Sequence, residues 1–342
     1  LSPRAGFTWN LTEDKSLVLR GGTGLFQGRL PLVFFTNMPT NSGMVQGSGG
    51  AVTRYENGMA KSDARLAGFA GKMITDPIEM AKKLGLPMDI TPEDGALPRD
   101  VNGVDPNFRM PQVWKSSLAF DYQIPVSFPF TVTVEGIFTK TLNGVMLKNY
   151  GLKEPDNTWS KFDGPDNRWI YPAKNKRYYS EAKGKNAYVL TNTNKGWGAI
   201  ANITLKAQPV RNLDLMASYT YTKSMEISGM PGNNAKSAYE GSLSINGPHM
   251  PDLENSDYVV PHRLTASASY KVNYNDYVAQ SISLFYNAAP AGTYSYLYAN
   301  DLNGDGIGSD LIYIPGKRGD IKFATQADED RFFAFMEQDK YL

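Results

Sequence analysis

The chain has 342 residues and a net charge of +1, its 35 Lys and Arg interspersed with 34 Asp and Glu, so no basic patch argues for a nucleic-acid partner. It contains no cysteine, which excludes disulfides, thiolate metal sites and cysteine nucleophiles. No apolar run approaches the roughly 20 residues of a membrane helix, whereas aromatic residues make up 12% of the chain and Tyr alone contributes 20.

In chain order, the first element is residues 3–11 (PRAGFTWNL). Ala5, Phe7, Trp9 and Leu11 share one face, and Arg4, Gly6, Thr8 and Asn10 the other. That period of two is a strand signal. A tight polar turn, 12–16, leads to a second strand at 17–28, whose glycines leave room for close backbone approach. A long connection, 29–112, follows. It holds a Gly/Ser-rich patch at 42–50 and a short helix at 76–84, with Asp76 as N-cap and Pro77 at the first helical position.

The third strand is 113–123, with Trp114, Leu118, Phe120 and Tyr122 on one face and Ser116 a gap in it. A turn marked by Pro125 and Pro129 gives the fourth strand, 130–140. There Phe130, Val132, Val134, Gly136 and Phe138 oppose Thr131, Thr133, Glu135 and Thr139, and Ile137 interrupts the polar side. A second long loop, 143–195, carries Trp159, Trp169, Tyr171, Tyr178 and Tyr179 among many Lys, Asn and Asp. Strands five and six, 196–206 and 213–222, alternate in the same way across the turn 207–212. A third loop, 223–257, precedes strands seven and eight at 262–272 and 277–287. A fourth, 288–342, contains Tyr294, Tyr296 and Tyr298.

Short and long connections therefore alternate strictly. Each strand has about ten residues, the length of a tilted strand crossing a bilayer. Aromatics gather near strand ends (Trp9, Trp114, Tyr122, Phe130, Phe138, Trp197, Tyr221 and Tyr270), as in the girdles of membrane barrels. A soluble β-sandwich also alternates, but it has no reason to keep its long loops on one end. The pattern implies an all-β fold, a transmembrane antiparallel β-barrel with long extracellular loops, and places the protein in a Gram-negative outer membrane, in contact with its lipid. Arg20 and Glu135 are expected on the lumen side, where charge is tolerated.

Three groups of residues suggest chemistry. Asp301, Asn303 and Asp305 with a glycine at the sixth position match the start of a calcium loop, with the Ile307 carbonyl and Asp310 as further ligands. The twelfth position is Ile312 rather than Glu, and a polar Gly-rich turn capped by its own side chains is the alternative. The loop aromatics, Trp159, Trp169, Tyr178, Tyr179, Tyr294 and Tyr296 above all, offer either a stacking platform for a ligand or packing between loops. His249 and His262 lack metal-ligand spacing, and His262, at a strand start, suits a structural hydrogen bond. No nucleophile–base set and no phosphate-binding glycine pattern is legible, so an enzyme has no positive support.

Several stretches resemble TonB-dependent outer-membrane transporters of Bacteroidetes, specifically the Oar-like branch with a carboxypeptidase-regulatory-like domain. They are residues 2–29 (SPRAGFTWNLTEDKSLVLRGGTGLFQGR), 260–270 (VPHRLTASASY) and 300–315 (NDLNGDGIGSDLIYIP), followed by a helix-like stretch at 328–342. The resemblance implies a barrel of about 22 strands filled by a plug, so residues 1–342 would be a partial barrel of about eight strands, a section of wall. It implies energised uptake of a large nutrient through a TonB complex engaged by an N-terminal region that this chain lacks. A surface lipoprotein or another outer-membrane protein is a partner class in that family. The readings that compete with uptake are a structural or adhesion barrel and a passive porin.

Overall fold

A computed structural model describes residues 2–44, 53–57, 59–69, 71, 73–89, 91, 93, 95, 100–180 and 186–339. Part of the Gly/Ser patch at 42–50 and the last residues of the expected C-terminal helix lie outside them. In chain order the elements are β1 (Arg4–Asn10), β2 (Leu17–Gln27), α1 (Val33–Thr40), α2 (Pro77–Lys83), β3 (Asp100–Val104), β4 (Gln112–Gln123) and β5 (Phe130–Asn149). Then come β6 (Asn186–Thr193), β7 (Trp197–Ala207), β8 (Leu213–Glu226), α3 (Ala235–Glu240), β9 (His262–Asn273), β10 (Ala279–Ala288) and α4 (Gln326–Met336). Small hairpins and single turns decorate the long connections.

Eight strands form one antiparallel meander in the order β1-β2-β4-β5-β7-β8-β9-β10. The sheet is open: among the described residues neither β1 nor β10 has a partner on its outer side. Registers run across it with one bulge, where Gln112 pairs with Asn143 but Val113 with Thr141. Arg20 pairs with Ala119, Ala119 with Glu135, Glu135 with Asn202, and Asn202 with Thr220. Since side chains alternate between faces, this row and its i±2 neighbours define one polar surface. The opposite surface carries Phe7, Trp9, Leu118, Phe120, Val134, Ile203, Leu264, Ile282 and Leu284, all exposed. An apolar face of this extent, covered by nothing among the described residues, needs an apolar solvent.

Polar tips of the aromatics on that surface sit at its rim. The Trp114 indole donates to Thr23 Oγ1 at 2.8 Å, and Phe138 stacks on Trp197 at a centroid distance of 6.5 Å. Tyr219 Oη meets His262 Nδ1 at 2.7 Å, the structural bond expected of that histidine. On the polar face Arg20 Nε donates to Asp121 Oδ2 at 2.7 Å, with Glu135 3.8 Å from the same guanidinium, and Thr133 Oγ1 donates to Asp121 at 2.6 Å. Gly21 lies directly opposite Phe7, and a Cβ there would sit 2.8 Å from the Phe7 ring and 2.9 Å from the Ser117 carbonyl oxygen. The aromatic covers the strand because the glycine leaves the space.

Two wall strands are longer than expected. β5 runs nine residues past 140 to Asn149, and β8 runs four past 222 to Glu226. The extension of β5 pairs with β6, and β6 pairs in parallel with β3, so a small three-stranded sheet stands on the wall. Residues 143–195 and 29–112 are therefore not loops throughout. In β6 both faces are apolar (Ala187, Val189; Tyr188, Leu190), so it lacks the alternation that marks the wall strands. α2 begins at Pro77, and the Asp76 carboxylate accepts from the Ile78 amide at 2.9 Å. α4 starts at Gln326, two residues ahead of the expected helix, because Thr325 caps it. No helix among the described residues is long and apolar enough to cross a membrane.

Candidate functional site

At the end of the wall where the long connections emerge, all four pack into one layer with its own core. Leu30 and Phe34 of the first connection meet Leu147 of β5, Tyr188 and Leu190 of β6, and Ala235, Ala238 and Tyr239 of α3. The short α3 forms because Asn234 and Ser237 make a reciprocal capping box, and its buried positions, i, i+3 and i+4, fall on one face. A second cluster joins Leu152, Trp159, Tyr171 and Tyr178, with Trp169 and Met250 against it. The Trp159 and Tyr171 rings lie 4.6 Å apart, and Trp169 meets Trp159 edge-on at 6.5 Å.

The loop aromatics thus divide. Trp159 and Tyr178 are buried and Trp169 is half-buried, so their rings serve packing between loops. Tyr179 is exposed, with the Lys153 ammonium 5.9 Å from its ring. Tyr294 and Tyr296 belong to a separate group: both hydroxyls donate to Asp339 Oδ2, at 2.5 and 2.9 Å, and Tyr296 packs edge-on against Phe335 of α4. The six aromatics do not form one platform.

The 301–310 loop docks on the second cluster. Asn303, Asp305 and Asp310 are buried. Its carboxylates accept from the loop's own backbone: Asp310 from the Leu302 amide at 2.6 Å, Asp301 from Gly306 at 2.9 Å, and Asp305 from Ile307 at 2.7 Å. Gly304 and Gly306 take φ of +78° and +97°, conformations that glycine adopts freely. Among the described residues no group of three or more acidic or histidine side chains is arranged to hold a metal ion. The calcium expectation gains no support from this geometry, which is that of a turn satisfying itself. Burial, with Asp301 and Asp310 nearby, pushes the Asp305 carboxyl up to about 7.

Cross-links tie this loop to the others. Buried Arg168 pairs with Asp166 at 2.5 Å and donates to the Leu311 carbonyl at 2.7 Å. The Tyr171 amide donates to the Asn303 carbonyl, and the Tyr171 hydroxyl to the Asn246 carbonyl. His249 donates from Nε2 to the Lys153 carbonyl at 3.1 Å, and burial lowers its pKa. Between α3, β6, the 174–178 turn and the 305–307 segment lies a cavity of about 400 Å³. Arg177, Tyr239, Asn149 and Asp305 are on its wall. A larger groove of about 540 Å³ sits on the apolar outer surface among Leu205, Ala217, Ala266 and Leu284, where lipid chains would lie.

Sequence reasoning missed Arg168, Arg177, Asp121 and Tyr239. A signal existed for Tyr239 in the N-x-x-S cap of α3. The arginines stood among scattered charges with nothing local to single them out.

Residues 1–280 match a family model described as an outer membrane beta barrel domain, and the chain belongs to that family. No curated protein and no solved structure matches it.

Proposed function

We propose that this outer-membrane β-barrel chain forms the wall and outer loops of a TonB-dependent transporter that takes up a large nutrient. Membership of the family places it in the cell outer membrane, with its apolar face toward lipid. The observation that carries the uptake reading is the packed loop layer. Four long connections, which in outer-membrane barrels face outside, are fixed to one another by a shared core and by Arg168, Tyr171 and His249. Below them the wall presents a polar inner face with a charged group, Arg20–Asp121–Glu135. A rigid capture surface above a polar passage suits a receptor that binds first and admits later. The order of the opening hairpin, the 260–270 strand and the 300–315 loop, similar to the Oar-like branch, supports the same reading. In it, a plug fills the barrel and a TonB box couples the plug to the proton-motive force.

The test is uptake by cells expressing the protein, with nutrient pools supplied as labelled mixtures, before and after a protonophore. Accumulation that depends on the protein and collapses with the proton gradient is expected. Protein-dependent flux that persists without the gradient makes it a passive porin. Loss of surface attachment without loss of uptake, on deletion, makes it a structural or adhesion barrel.

A further inference from the structure

The cavity in the loop layer contains a charge without a counter-charge. Arg177 is only 6% exposed and lines the cavity, yet among the described residues it forms no ion pair with a carboxylate. Its Nε has no hydrogen-bond partner. Its guanidinium lies 5.4 Å from the Tyr178 ring centroid, which holds it in place without neutralising it. Tyr239, on the same wall, is 3% exposed and its hydroxyl is also without a partner.

The acids nearby are engaged elsewhere. Asp100 accepts from Asn186 Nδ2 at 2.7 Å, Glu240 faces Lys236 at 3.8 Å, and Asp305 takes the Ile307 amide. Gly306 matters for access: a Cβ there would lie 3.3 Å from Arg177 Nη2, so its absence opens the guanidinium edge. A buried guanidinium with no carboxylate partner is costly unless something supplies an anion, and a carboxylate meets the fork geometry of arginine well. The volume, about 400 Å³, is within the range of small-molecule pockets.

We propose that this cavity binds a small ligand, or the end of a larger one, through a carboxylate that pairs with Arg177 and accepts from the Tyr239 hydroxyl. The uptake reading contributes one premise, that these loops meet ligands outside the cell. The carboxylate belongs to a sugar acid or to a peptide C-terminus, and the test separates the two.

Isothermal titration of the purified protein in detergent uses glucuronate against glucose, and N-acetyl-Ala-Ala against its C-terminal amide. At least one carboxylate probe is expected to bind about tenfold or more tightly than its neutral counterpart. Glucuronate alone identifies a sugar acid, and the peptide alone a peptide end. Arg177→Gln should abolish the preference. Because Arg177 is buried, Tyr239→Phe carries the test if that variant does not fold. It should weaken the carboxylate probe by about fivefold or more. The proposal is overturned if neither carboxylate outbinds its neutral partner, or if Tyr239→Phe leaves binding unchanged. The measurement needs no energised membrane, so its failure with gradient-dependent uptake intact removes this inference alone.

Discussion

Ala266 and Ser267 are adjacent, small and central in β9, yet the register puts them in different solvents. Ala266 pairs with Ala217 and Tyr286 on the apolar face, Ser267 with Met216 and Phe285 on the other. At a rise of about 3.4 Å per residue and a tilt of about 40°, the 12 residues of β9 cover roughly 30 Å of membrane normal. Ala266 is the fifth of them, near the midplane. An arginine there should cost about 2–4 kcal/mol, whereas the same change on the lumen side carries no lipid penalty. The cost corresponds to roughly a 30- to 700-fold change in the folding equilibrium at about 1.4 kcal/mol per factor of ten. Guanidinium unfolding in phosphatidylcholine vesicles, followed by Trp fluorescence, measures both variants against wild type. Ala266→Arg should shift the midpoint strongly and Ser267→Arg little. Equal costs, or a larger one for Ser267→Arg, would refute the assignment of the two faces.

Asp305→Asn tests the buried carboxyl. Its folded pKa, about 7, lies above the ordinary 3.8, so the folded state holds the proton more tightly. Its contribution is therefore complete below about pH 4, is lost as pH rises to 7, and is flat above. About three units correspond to at most about 4 kcal/mol. The variant should show a shallower fall in loop-layer stability across that window, read by hydrogen exchange corrected for intrinsic rates, and an unchanged slope would count against it. Leu190→Ala, at a fully buried position, should cost about 2–5 kcal/mol. Proteolysis of the loops should accelerate while the wall keeps its heat-modifiable gel shift; an unaffected loop layer would mean that the core is not cohesive. Gly21→Val should destabilise by about 1–3 kcal/mol through its clash with Phe7, and Phe7→Ala should recover part of that loss in the double variant; strictly additive costs would show that the two positions do not interact.

The wall was legible because each strand lies between lipid and a polar interior, and the two solvents write their difference into alternate residues. Phe120 and Asp121, or Ile203 and Thr204, announce their faces without help from any distant residue. The loop layer has no such author. Arg168 is fixed by a carbonyl 143 residues away, and Tyr188 by Tyr239 of another loop. Such contacts leave no local period. β6 went unread for a related reason: with both faces apolar it loses alternation, and a short apolar run is ambiguous. The 301–310 turn was visible as a motif, but its pattern of oxygens fits metal binding and self-capping equally until the amides can be seen.

The length of β5 has a mechanical consequence. One uninterrupted strand of 20 residues, roughly 65 Å at about 3.3 Å each, leads from the turn end of the wall to Asn149 on the floor of the cavity. A rod anchored by ladder bonds on both sides through residues 131–140 transmits displacement more than it absorbs it. The cavity floor is thus geared to the membrane wall, and any gate must be cut from its other sides, α3 and the 301–310 turn, which are held by side-chain packing and isolated hydrogen bonds such as that from the Tyr171 amide to the Asn303 carbonyl.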